Sequence, residues 1–147
     1  MAFSLIIVKQ AFTNLEGKIC FIPPPEYWLK LAKYDLSVMD DLFTSKRYDY
    51  ALFIGHLVLE KLLKAFWVRD NELNFPPKIH NLKRIADDTK LSLTDVQKKF
   101  LVKVNEFNIE TRYPDYRMKF HKICDKSFTS KYLEKIKEFY KWLQKEI

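Results

Sequence analysis

Ala51-Leu52-Phe53-Ile54-Gly55-His56-Leu57-Val58-Leu59-Glu60-Lys61-Leu62-Leu63-Lys64-Ala65-Phe66 is the stretch that decides the fold class of this chain. Ala51, Gly55, Val58, Leu62, Ala65 and Phe66 recur at the spacing of one helical face, and Leu52, Leu59 and Leu63 widen that face. The pattern predicts a helix from about Tyr48 to Arg69. One narrow polar ridge remains: His56, Glu60 and Lys64 at successive i+4 positions, with Lys61 beside it. Such a row is ordinarily a solvated ion-pair ladder worth a few tenths of a kcal/mol. On so apolar a helix it is expected instead to face a cleft or a subunit seam. Gly55, in mid-helix at a cost of about 1 kcal/mol relative to Ala, predicts that another helix approaches closely there.

Before this helix, Pro23-Pro24-Pro25 forces extended backbone and leaves Pro25 at a first-turn position, where its missing N–H costs nothing. Trp28, Ala32, Leu36, Met39 and Phe43 then give the period of a first helix ending near Thr44. Beyond the central helix, Pro76-Pro77 is a stop, and His80 or Asn81 can cap a short helix with Leu82, Ile85 and Ala86 on its inner face. Thr94-Asp95-Val96-Gln97 reads as a capping box opening a fourth helix, with Val96, Phe100, Val104 and Phe107 inward. Pro114 disfavours helical geometry at Tyr113, so that helix should end near Thr111. Arg112–Phe128 reads as polar, basic and irregular. A last helix takes Tyr132, Ile136, Phe139, Leu143 and Ile147 inward. The expected architecture is all-α, an up-and-down bundle of about five helices over residues 23–147, preceded by an arm of residues 1–22.

Composition narrows the chemistry. Two glycines in 147 residues leave no phosphate-cradling Gly-rich loop and no dinucleotide fingerprint. Any bound phosphate must therefore be held by side chains. The net charge is +7, and the quarter from Arg112 onward, with ten Lys/Arg against five Asp/Glu, carries +5 of it. Such a field can attract phosphate, although Lys-rich helices also serve solubility. Cys20 and Cys124 are too few for a disulfide framework, and the apolar run Phe3–Val8 is far shorter than a membrane span, which fits a reducing cytoplasm and no membrane.

Three groups of residues carry candidate chemistry. Thr111-Arg112-Tyr113-Pro114-Asp115-Tyr116-Arg117 sets two guanidinium forks beside aromatic phenols, a plausible phosphate-and-base site; it is equally a helix C-terminus where cations meet the negative dipole end. His121-x-x-Cys124 has half the reach of a zinc site but no second pair at ligand spacing, so no metal is expected. Asp35, near the apolar side of the first helix, is expected to find a partner across the bundle in His56 or Lys64.

In this order the features resemble the HEPN domain family over about Pro25 to Glu146. The carriers are Ala32-x-x-Asp35-Leu36, Arg47-Tyr48-x-x-Ala51-x-Phe53-x-x-His56, Glu60-Lys61-Leu62-Leu63-Lys64-Ala65, Pro76-Pro77-Lys78-Ile79-His80-Asn81-Leu82 and Thr111-Arg112-Tyr113-Pro114-Asp115. The resemblance implies a helical bundle, a homodimer with a cleft between protomers, and binding of a nucleotide or RNA. It also implies, for many relatives, pairing with a minimal nucleotidyltransferase in a toxin–antitoxin-like system. On this reading Arg112, Tyr113, Arg117, Lys61 and Lys64 bind phosphate, Asp35, His56, Glu60 and His80 line the cleft or dimer seam, and no cofactor is needed. A purely structural dimerisation module is the alternative of a different class.

Catalytic relatives are metal-independent endoribonucleases in which an Arg is followed after roughly four to six residues by a His, the His acting on the ribose 2′-hydroxyl and the Arg steadying phosphorane charge. Here eight residues separate Arg112 from His121, eight separate Arg47 from His56, and three separate Arg117 from His121. The motif is absent. Arg117 and His121 are the nearest substitute catalytic pair, at i and i+4 if their segment is helical.

Overall fold

The helix expected from Tyr48 to Arg69 is α2 (Tyr48–Asp70), and α1 (Pro25–Thr44), α3 (Leu82–Asp87), α4 (Asp95–Arg112), α5 (Pro114–Ile123) and α6 (Lys126–Glu146) all pack on it. The computed structural model describes residues 11–13, 15–71 and 74–147, with side chains throughout these except at 11–13, 19, 20 and 114–117. Residues 1–10 and residue 14 of the expected arm lie outside the described residues. Its remainder carries a short antiparallel hairpin, β1 (Ala11–Thr13) against β2 (Ile19–Phe21), in register Phe12 to Cys20. The fold is all-α, with the bundle beginning at Pro25.

α2 is central because it is apolar nearly all round and must bury every face. Fourteen of its residues are buried, among them Leu52, Leu59, Leu62, Leu63 and Phe66. The expectation at Gly55 holds. A Cβ there would sit 2.7 Å from Ile136 Cδ1 on α6 and 3.2 Å from Met39 Sδ on α1, so the bare backbone is what lets these two helices close on α2.

Local signals set the helix ends. Pro25 opens α1 after an extended Pro24. The link to α2 is three residues long, with Lys46 at φ 60 and its neighbours bonded back to the last turn (Ser45 N to Asp41 O 2.9 Å, Arg47 N to Leu42 O 2.8 Å), which makes α1 and α2 an antiparallel hairpin. Asn81, rather than His80, caps α3, its side chain accepting from Arg84 N at 3.0 Å. The Thr94/Gln97 capping box is formed in both directions.

Two expectations are corrected. Arg112–Phe128 is not irregular: Tyr113 is extended as Pro114 requires, but Pro114 also occupies the first turn of a new helix, α5, which buries Phe120. Proline ends one helix here and begins the next. Val96 is 77% exposed and Ile147 42%, not inward. Successive i+4 steps rotate roughly 40° each, so the run from Val96 drifts off the buried arc of α4, which is Leu101, Val104, Phe107, Asn108 and Thr111. Phe107 anchors the aromatic end of the core, with ring centroids 5.7 Å from Phe120 and 5.2 Å from Tyr132.

Candidate functional site

The polar ridge of α2 is turned inward. His56, Glu60 and Lys64 are all buried, and a fourth polar group, His80, reaches them from the segment before α3. Lys64 Nζ donates to Glu60 Oε1 at 2.7 Å, and His80 Nδ1 lies 3.0 Å from Glu60 Oε2. Burial by itself would raise the Glu60 carboxyl. The hydrogen bonds from Lys64 and His80, with the Lys64 charge, outweigh it and hold the group below the usual carboxylate range. Lys64 also lies 5.8 Å from the centroid of the Trp28 ring on α1, a cation–π contact.

His56, fully buried, joins α2 to α4. Its Nε2 donates to the His80 carbonyl at 3.0 Å, and its Nδ1 accepts from Asn108 Nδ2 at 3.1 Å, which assigns the neutral Nε2–H tautomer. Desolvation pushes His56 below the ordinary histidine value, against the attraction of Glu60. Asn105 Oδ1 accepts from Leu82 N at 3.1 Å and so ties the start of α3 to the same point.

Asp35 is expected to meet His56 or Lys64; it meets Lys61 instead, in a close ion pair between α1 and α2. Both expected partners are already committed to α4 and to Glu60. Asp35, His56, Glu60 and His80 therefore lie in one polar zone along α2, where Lys61 and Lys64 each have an acid partner within the chain. Only His80 among these presents a large exposed fraction, 55% of its side chain.

The end of α4 forms the second zone. Arg112 is exposed, and its Nε donates to the Asn108 carbonyl at 3.2 Å, one turn beyond the asparagine that holds His56. Tyr113 follows, 55% exposed. Arg117 and His121 share α5 at i and i+4, since that segment is helical, but the Arg117 side chain lies outside the described residues. His121 Nδ1 is 3.3 Å from Asp49 Oδ2 in the first turn of α2, an exposed imidazole against a buried carboxylate. The Cys124 thiol nearby is buried and pushed up to about 12, so it stays protonated and is a poor ligand or nucleophile. Among the described residues no three His, Cys, Asp or Glu side chains converge as a metal would require.

Sequence reasoning missed Asn105, Asn108 and Asp49. A signal existed for the asparagines. Two poor helix formers at i and i+3, interleaved with the core residues Val104 and Phe107, make sense in mid-helix only if their amides have internal partners. Asp49 carried no such signal, because an acid in a first helical turn is ordinary.

Comparison with curated proteins finds no match. Among solved structures, the crystal structure of TT1696 from Thermus thermophilus superposes with a TM-score of 0.71 at 15% identity, over 84% of this chain and 98% of that one. At that identity the likeness speaks for the fold alone. The family model described as HEPN domain matches residues 25–147, which is the whole bundle from the first residue of α1. The chain belongs to the HEPN domain family, a family of nucleotide- and RNA-related helical modules.

Proposed function

We propose that this protein binds a nucleotide or RNA through the phosphate, with Arg112, Tyr113 and Arg117 as the binding residues. The observation that carries this reading is Arg112: its Nε is tied to the Asn108 carbonyl while the side chain remains exposed beside Tyr113, an aromatic face on which a base can stack. The +5 of the chain from Arg112 onward supports it. Lys61 and Lys64 would have to leave Asp35 and Glu60 to reach a phosphate, so they add little to the reading. The same reading takes the chain as a cytoplasmic homodimer and as one half of a pair with a nucleotidyltransferase, as the family resemblance implies. Anisotropy of a labelled single-stranded RNA across a salt series tests it. Arg112→Ala with Arg117→Ala should weaken binding and flatten the log–log salt slope by about 0.7 for each phosphate no longer neutralised. Unchanged binding by the double variant overturns the site.

One observation favours a second reading, the metal-independent endoribonuclease. Asp49 fixes the His121 ring through Nδ1, which leaves Nε2 as the proton acceptor on an exposed imidazole. Nε2 would take the 2′-hydroxyl proton of RNA as that oxygen attacks the adjacent phosphorus and the bond from phosphorus to the 5′-oxygen breaks, the departing 5′-oxygen taking a proton from solvent water, giving a cyclic phosphate and a 5′-hydroxyl. The purified protein should then cut single-stranded RNA in EDTA, and His121→Ala should abolish the cutting. Undiminished cutting by that variant removes His121 from the mechanism.

A further inference from the structure

Lys83 on α3 and Lys98, Lys99 and Val102 on α4 line a groove of about 210 Å³ where the two helices meet. Lys83 Nζ donates to Asp87 Oδ2 at 2.6 Å in an exposed pair, an interaction of little net worth. Lys98 and Lys99 have no ion-pair partner among the described residues. Three ammonium groups around one hollow repel one another, and an anion placed among them relieves that repulsion.

The same face of α4 runs on to Arg112. Lys98, Val102, Asn105, Ile109 and Arg112 follow at steps of four, three, four and three, the spacing of a single helical face. Asn105, halfway along, accepts from Leu82 N at 3.1 Å, which holds the start of α3 against this strip. No carboxylate of α4 stands on it: Glu106 and Glu110 fall on the neighbouring face with Lys103, to which Glu106 is bonded. Val102 and Ile109 are 49% and 46% exposed, an apolar middle between two basic ends.

We propose that this strip continues the Arg112 site and takes a single-stranded RNA along α4, with Lys83, Lys98 and Lys99 as a second phosphate-holding end and Val102 and Ile109 against the bases between. From Lys98 to Arg112 is fourteen residues, roughly 21 Å of helix, which exceeds the span of one nucleotide. A strand of about four nucleotides or more covers it, the lower end of the site sizes known for single-strand binding domains. The proposal rests on the Arg112 reading and decides within it for an oligonucleotide over a mononucleotide.

Uridine oligonucleotides from about two to about twelve nucleotides long, competing with the labelled RNA for the full chain, test it. Affinity should rise about tenfold or more between two and roughly eight nucleotides and then level off, because the second contact becomes intramolecular once the strand reaches both ends. Lys98→Ala with Lys99→Ala should remove that rise and flatten the log–log salt slope of the longer strands by about 0.7 per lysine. Alanine preserves the helix, so a loss of binding is not a loss of fold. Lys131→Ala with Lys135→Ala, the same loss of charge at exposed positions on α6, should leave the rise in place. Short and long strands bound alike, a rise that survives the α4 variant, or an equal loss in the α6 variant overturns the strip and leaves the Arg112 reading standing; the second of these results leaves the lysines to an acidic protein surface. Binding that neither Arg112→Ala with Arg117→Ala nor the α4 variant weakens overturns both.

Discussion

Glu60 and Lys64, one turn apart on α2, form an ion pair at 2.7 Å with side chains 8% and 9% exposed, and His80 caps the second carboxylate oxygen at 3.0 Å. A buried pair of this kind is costly to break from one side, because the remaining charge stays desolvated. Glu60→Gln should lower stability by about 3–5 kcal/mol, a fall in Tm on the order of 10 °C for a chain of this size. Glu60→Leu with Lys64→Leu should cost much less than its two single changes summed. A double-mutant cycle in urea checks this, and additive costs would mean that the pair contributes no coupling.

Stability should fall in two stages on acidification. His56 is held neutral in the fold below the ordinary value of 6.5, so the unfolded chain takes up a proton first, and stability drops as the pH falls below about 6.5. Glu60 is held below its ordinary 4.5, so its contribution is complete above that value and is lost as the pH falls through its lowered titration. Urea midpoints at a series of pH values should show both stages, and His56→Gln should remove the upper one.

Gly55 is a packing glycine. The 2.7 Å approach of Ile136 Cδ1 makes a leucine there impossible without displacing α6, and Gly55→Leu should cost about 1–3 kcal/mol or more despite leucine's better helix propensity. Gly55→Ala should lie within about 1 kcal/mol of the parent, the propensity gain offsetting the shift of one methyl group. Thermal unfolding of the two variants tests the ordering.

Lys46 is the opposite case. Its φ of 60 is a left-handed conformation that a side chain disfavours, and it closes the turn between α1 and α2. Lys46→Gly should stabilise by about 0.5–1 kcal/mol, the relief of strain exceeding the added freedom of the unfolded chain. A lower Tm would show that the lysine side chain contributes to the turn.

Asn108 bridges the buried network to the end of α4, and Asn108→Leu strands Nδ1 of His56 without a donor. The expected cost is about 1–3 kcal/mol. It should appear in stability before it appears in RNA binding, since the exposed Arg112 donates to the backbone carbonyl of Asn108, which the substitution keeps.

The helices of this protein were legible because period and punctuation are local. Proline at first turns, the Thr94/Gln97 box, Asn81 and the apolar run of α2 act within a few residues, and α5 was missed only because Pro114 carries a stop and a start at once. Even Gly55 announced a close neighbour, although not that the neighbours would be Ile136 and Met39. Partner choice among the polar residues was a different matter. His56 to Asn108 spans 52 positions, His121 to Asp49 spans 72, and Asp35 took Lys61 rather than His56 or Lys64. Side-chain spacing along a helix says which residues share a face. Which charge meets which across the bundle depends on how α1, α4 and α5 rotate and slide against α2, and the packing of large apolar groups sets that while the polar groups pair with what they find there.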